Sequence, residues 1–226
     1  MVGYADADMT IRARTSRADA ESWHASLYGA AQLGPVAMRA GGAYSWHALY
    51  AERSVAFTGF ADALASAYDA RTAQVFGEMA YPVAFSSGAL EPFADLAWAK
   101  LDADSFTEAG GAAALAVEKA EEDRTWSTLG LRGQLHEGGG EGLTFFTASA
   151  GWMHGFGVDT LLRKHSFAGG GSFDVATAPL ARDSAVLEAG LNLTLNGICL
   201  RMGYSGRLAS GSADHSARAS LIVRFN

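Results

Sequence analysis

The sequence predicts an all-β fold: an antiparallel transmembrane β-barrel with about ten strands present. Three features of the chain point there. Segment after segment alternates apolar and polar residues at the period of two that a strand imposes. The segments run about 10 to 12 residues, beyond the usual 5 or 6 and near the length that crosses a bilayer at a tilt. From Gly34 onward, tight joints and long connections take turns, as the two rims of an outer-membrane barrel do.

Taken in order, residues 1–11 set Gly3, Ala5, Ala7, Met9 and Ile11 against Tyr4, Asp6, Asp8 and Thr10, a strand or the remainder of one. Residues 12–21 read as a polar loop and 22–33 as the next strand. Gly34-Pro35 is a turn, since proline cannot donate to a ladder and glycine bends freely. In residues 36–49, Val36, Met38, Tyr44 and Trp46 oppose Arg39, Gly41 and Ser45. A long connection, 50–69, leads to 70–83, where Ala73, Val75, Gly77, Met79 and Tyr81 oppose Thr72, Gln74, Phe76 and Glu78. After a short joint at 84–88, Leu90, Ala94, Leu96 and Trp98 oppose Glu91, Phe93 and Asp95. Residues 102–123 form a second long connection, 124–135 a strand, 136–142 its glycine-rich turn, 143–156 the return, and 158–183 the third long connection.

The three closing strands alternate most regularly. Leu187, Ala189, Leu191, Leu193 and Leu195 share one parity, with Glu188, Gly190, Asn192 and Thr194 on the other. Asn196-Gly197 then marks a hairpin, because both residues tolerate the positive φ of a type I′ turn. Ile198, Leu200, Met202 and Tyr204 oppose Cys199, Arg201, Gly203 and Ser205. After a joint at 209–214, Ala217, Ala219, Leu221, Val223 and Phe225 oppose Ser216, Arg218, Ser220, Arg224 and Asn226.

Alternation alone does not say which face meets water. Strand length favours apolar residues outside, and so do the aromatics near strand ends on the apolar parity: Trp46, Tyr81, Trp98, Trp152, Tyr204 and Phe225. The polar parities carry Arg39, Glu78, Glu91, Asp95, Arg132, Glu188, Arg201, Arg218 and Arg224. These charges are expected to line a wet bore. They form either a mixed-charge wall along which an extended polypeptide passes or cross-strand ion pairs that stiffen the barrel.

With 226 residues, 27 Gly, 4 Pro, 49% hydrophobic and 18% charged, the chain has a folded composition and the size of one domain, spanning 1–226. No apolar run approaches the length of a transmembrane helix. The net charge of −7 argues against nucleic acid as a partner. Cys199 is the single cysteine, which excludes a disulfide framework and a thiolate metal cluster. No signal peptide is visible at the start. Catalytic motifs are missing too: Gly203-Tyr204-Ser205-Gly206 is one residue short of a nucleophile elbow. His24, His47, His136, His154, His165 and His215 are scattered, and Gly169-Gly170-Gly171 lacks the lysine and helix of a phosphate loop. Neither enzymatic activity nor a catalytic, cofactor or metal site is therefore expected. A pore-forming or structural barrel, and a soluble barrel with its apolar face inward around a ligand, remain as alternatives.

Residues 41–49, 53–81, 89–115, 127–133, 167–173, 181–193 and 204–225, in order and over nearly the whole chain, carry a likeness: they resemble the β-domain of autotransporters, the type V secretion proteins. The resemblance implies a Gram-negative outer-membrane barrel of twelve strands, threaded by a helix ahead of the first. It implies support for delivery of an N-terminal passenger to the cell surface, in outer-membrane lipid and with the barrel-assembly machinery. The last strand, with Leu221, Val223 and Phe225, is similar to the signal which that machinery reads. On this likeness residues 1–11 fall on the third strand, leaving passenger, pore helix and about two strands without a counterpart. The chain would then be a remnant of a longer gene, a product of a displaced start, or a ten-stranded barrel closed between its first and last strands.

Overall fold

The structure, a computed structural model, describes residues 1–11, 16–137, 142–157, 160–177, 180–195 and 198–223. Its strands are β1 (Val2–Ile11), β2 (Ser16–Leu33), β3 (Val36–Phe57), β4 (Phe60–Ala80), β5 (Val83–Phe85), β6 (Gly88–Ala103), β7 (Phe106–Thr107) and β8 (Leu115–Val117). They continue with β9 (Ala120–Glu137), β10 (Gly142–Phe156), β11 (Leu162–Phe167), β12 (Ser172–Ala176), β13 (Asp183–Leu195), β14 (Ile198–Ala209) and β15 (Ser212–Val223). One antiparallel sheet takes ten of them in the order β1-β2-β3-β4-β6-β9-β10-β13-β14-β15, with β5 paired to β6. The sheet is curled, as a barrel wall must be. Among the described residues no ladder joins β1 to β15.

The long connections are not loops. Residues 50–69 continue the ladder of β3 and β4 without a break up to Phe57 opposite Phe60. Gly59 turns the chain there at φ +85°, a region costly for any residue with a Cβ, and the two phenylalanine rings stack 4.9 Å apart across the turn. Residues 102–123 and 158–183 supply β7, β8, β11 and β12, which form a second sheet in the order β12-β11-β8-β7. The expected loop at 12–21 is also shorter, because β2 begins at Ser16. Likewise β15 begins at Ser212, inside the expected joint at 209–214. The Asn196-Gly197 turn, residues 138–141, Arg224, Phe225 and Asn226 lie outside the described residues.

These extensions explain strands far longer than expected. At about 3.3 Å per residue, the 22 residues of β3 reach roughly 70 Å, whereas about 9 to 11 residues cross a bilayer. Where the crossing ends is marked by tryptophan. Trp23, Trp46, Trp98 and Trp152 each stand ten residues from the tight-turn end of their own strand, at Leu33, Val36, Gly88 and Gly142 respectively. Indole rings sit at that depth because one edge is apolar and the other donates to headgroups or water.

Burial supports the same arrangement. Among the described residues the buried apolar side chains are Ala37, Leu64, Ala70, Ala80, Ala103 and Val117, mostly alanines, and no large side chain is fully buried. Leu27, Leu33 and Leu221 are 82%, 63% and 64% exposed. A sheet that shows so much apolar surface has no hydrophobic core of its own to hold it in water and needs lipid on that face. Accordingly, Leu191→Arg, on the parity of Leu221, should cost roughly 2 to 4 kcal/mol of membrane stability, while Glu188→Arg costs far less. Heat-modifiable gel shifts of the two variants in outer-membrane extracts measure it; equal shifts contradict the assignment.

Candidate functional site

Directly paired residues of a ladder share a face, so the register assigns each charge to one. One row runs Arg39, Glu78, Asp95, Thr128, Met153, Ser184 across β3, β4, β6, β9, β10 and β13. A second runs Glu91, Arg132, Ser149, Glu188, Ser205, Ser216 from β6 to β15. Arg201 shares the parity of Ser205 on β14, and Arg218 that of Ser216 on β15. Eight of the nine charges singled out in the sequence therefore lie on one face of one sheet; Arg224 is outside the described residues. Leu221 and Val223 lie on the other face, opposite Leu200 and Ile198.

Four of the charges close a ring. Arg39 donates to Glu78 at 2.5 Å and, through both terminal nitrogens, to Glu91 at 3.0 and 3.1 Å. Arg132 donates to Glu91 at 2.5 Å and to Glu78 at 2.8 Å. The ring needs curvature. Arg39 reaches past β4 to Glu91, and Arg132 reaches past β6 to Glu78, although strands two apart in a flat sheet lie about 9.5 Å from each other. Side chains converge on the concave face of a curled sheet and splay on the convex one, so the charged face is the concave one. Phe93 supports the ring from beside it, its ring centroid 4.7 Å from the Arg132 guanidinium carbon.

The remaining charges make no hydrogen bond of the ring. Asp95 stands in the row of Arg39 and Glu78, paired with Glu78 on one side and Thr128 on the other. Glu188 accepts from Ser149 at 3.3 Å. Arg201 and Arg218 sit on adjacent strands near the tight-turn rim. Residues not singled out in the sequence complete this face: Ser22 meets His47 Nδ1 at 2.8 Å, His47 Nε2 meets Thr72 at 3.1 Å, and His24 Nδ1 meets Ser45 at 2.8 Å. No group of acids, cysteine and histidines that could hold a metal occurs among the described residues.

Above the tryptophans, the same face of β3 and β4 carries a second structure. The Arg53 guanidinium grips Glu108 twice, at 2.7 and 2.6 Å, and donates to the Ala113 carbonyl at 2.9 Å. Glu108 also accepts from the Leu115 backbone at 2.9 Å, and Asp62 accepts from Ala113 at 2.8 Å. At the tip of this segment Gly110, at φ +127°, lies so close to β4 that a Cβ would fall 2.0 Å from the Ala63 carbonyl oxygen. Phe106 stacks on Tyr68 at 4.4 Å, and Arg163 of β11 lies over both rings. Leu64 and Val117 are buried beside them. Burial pushes the Glu108 carboxyl up, but the Arg53 guanidinium and the Leu115 N–H outweigh it and hold the group below its ordinary value of 4.5.

Two outcomes follow from these contacts. Because the Glu78 and Glu91 side chains are only 11% and 14% exposed, losing a cation leaves them under-satisfied. Arg39→Ala and Arg132→Ala should each cost about 2 kcal/mol in urea unfolding from detergent, and a double-mutant cycle between Arg39→Ala and Glu91→Ala should show a sub-additive loss. A carboxyl with a depressed folded pKa stabilises fully above its unfolded value of 4.5 and loses that contribution as pH falls through the folded value. The protection factor of the Leu115 amide should therefore hold steady from pH 7 to about 5 and drop below pH 4, and Glu108→Gln should remove the drop.

The Autotransporter beta-domain family matches residues 1–205. Two curated proteins of Serratia marcescens, each titled "Extracellular serine protease", are 37% identical over 215 residues and 36% identical over 230. Those alignments cover 93% and 100% of this chain but 20% and 22% of the relatives, so the chain spans about a fifth of their length. The translocator domain of the autotransporter NalP from Neisseria meningitidis superposes with a TM-score of 0.67 at 16% identity, covering 99% of this chain and 73% of that one. The chain belongs to the autotransporter β-domain family.

Proposed function

We propose that this chain is an outer-membrane translocator barrel that supports delivery of an N-terminal passenger to the cell surface. The observation that carries this reading is the pair of opposite faces. Across ten strands one face is predominantly apolar, with tryptophans at one depth on four of the strands, and the other is polar, mixed in charge and concave. On this reading Arg39, Glu78, Glu91, Asp95, Arg132, Glu188, Arg201, Arg218 and Arg224 line a hydrated bore. Near the tight-turn end, where the four-charge ring neutralises itself, the wall offers a passing peptide few uncompensated charges on which to stall. Leu221, Val223 and Phe225 form the closing signal for the barrel-assembly machinery.

The protease activity named in the relatives belongs, on this reading, to the four-fifths of those proteins outside the aligned region. On the concave face, among the described residues, His47 pairs with Ser22 and Thr72 and His24 pairs with Ser45, with no carboxylate hydrogen-bonded to either ring. A triad needs that third group to orient the imidazole. Among the described residues no ladder joins β1 to β15; on this reading the barrel closes in the membrane, by pairing these edges with each other or through further strands, because an unpaired edge in lipid leaves backbone groups unsatisfied.

The test is a fusion behind a signal peptide of a reporter passenger, with and without a two-strand segment ahead of residue 1. The reporter should become accessible to external protease in at least one of the two forms. A reporter that stays inside in both overturns the translocator reading, and comparing the two forms shows whether further strands are needed for closure.

A further inference from the structure

The structure of the outer extension points to a device that goes beyond the translocator role while resting on the reading that the concave face lines the bore. We infer that residues 104–119, together with the β11–β12 hairpin, form a lid over the outer mouth of the bore, latched by the Arg53–Glu108 ion pair.

Placement comes first. The ladder of β3 and β4 runs without a bulge from Ala37 opposite Ala80 to Phe57 opposite Phe60, so parity is conserved along its whole length. Arg53 has the parity of Arg39, and Asp62, Leu64 and Tyr68 have that of Glu78. Every side-chain contact described above from the hairpin to residues 104–119 is made by one of these four. The segment therefore sits on the concave side of the hairpin, above the bore and turned away from the lipid.

Attachment comes second. The segment touches the rim of the wall where Asp104 donates its amide to Asp69, and again where Ala65 and Ala109 exchange two backbone hydrogen bonds at 2.9 and 2.8 Å. Between and beyond these points it is held by side chains: Arg53 on Glu108, Asp62 on the Ala113 amide, and Tyr68 under Phe106. Arg163 ties in the second sheet by donating to the Asp104 and Glu118 carbonyls at 3.1 and 3.2 Å. A flap joined to a rigid wall by backbone at two points, and fastened beyond them by an ion pair, the Asp62–Ala113 contact and an aromatic stack, has a defined way to open. Arg53 alone makes three of the hydrogen bonds that hold it, so losing the Arg53–Glu108 contact loosens the Ala109–Leu115 turn, and the backbone at Asp104 serves as the hinge.

The single cysteine reports on the lid. Cys199 has the parity of Arg201 on β14 and lies one residue from the tight-turn end of that strand, deep in the bore on this reading. A maleimide small enough to enter the bore, added outside intact cells of a porin-deficient strain, reaches it only through the mouth. Wild-type protein should label slowly. Arg53→Ala and Glu108→Ala should label about tenfold faster, the factor that corresponds to about 1.4 kcal/mol of lost closure. The exchange of both residues, Arg53→Glu with Glu108→Arg, should restore slow labelling. Equal rates in wild type and single variants overturn the lid, and fast labelling of the exchanged pair overturns the latch. A variant with Cys199→Ser and Leu191→Cys separates the two levels of inference. Labelling there from the aqueous phase, with none at Cys199 in wild type or in either single variant, overturns the bore itself.

Discussion

The structure depends on one constraint: a backbone in hydrocarbon must find every hydrogen-bond partner within the protein. That constraint selects an antiparallel ladder, and the ladder fixes the rest through parity. Once β3 and β4 pair from one end to the other, every second side chain is committed to lipid or to the concave side, for more than twenty residues at a stretch. A one-residue slip of β3 would put Arg39 into lipid and Met38 into water, and the same slip of β4 would do so for Glu78 and Met79. The four-charge ring guards against that slip, because it closes only when four strands hold their registers together. Its pairs are partly buried, so its worth lies more in register than in net stability.

Much of this was legible in the sequence and some was not, for identifiable reasons. Parity was readable because leucines such as Leu187, Leu191 and Leu195 alternate with polar residues, and lipid demands that alternation strictly. The partners within the ring were not readable, since Arg39 and Arg132 each skip a strand to reach a glutamate and only curvature makes that possible. The hairpin at 50–69 was hidden because its alternation is carried by alanines and by charges on both parities. Outside the bilayer nothing forces one face to be apolar. Its turn, Thr58-Gly59, is also a weaker hairpin signal than Asn-Gly. The Arg53–Glu108 pair joins residues 55 apart, both in stretches that looked like loop, and no periodicity could have matched them.

Edges show the same physics under two solvents. Above the bilayer, β4 loses its neighbour once β6 ends at Ala103 opposite Ala70, and residues 104–109 take over part of that edge. Water would satisfy those groups anyway, so the cover there serves order more than necessity. Within the bilayer an edge has no such alternative, and another strand must cover it.

That difference bears on why the lid is built as it is. Segments in lipid are held by continuous ladders and cannot open singly. The lid, standing in water, is held at separated points: two short backbone contacts, an aromatic pair and an ion pair whose strength falls with salt and acid. A wall that must never open and a cover that can are thus made from the same strands. They differ in whether the surrounding medium can replace the bonds that opening would break.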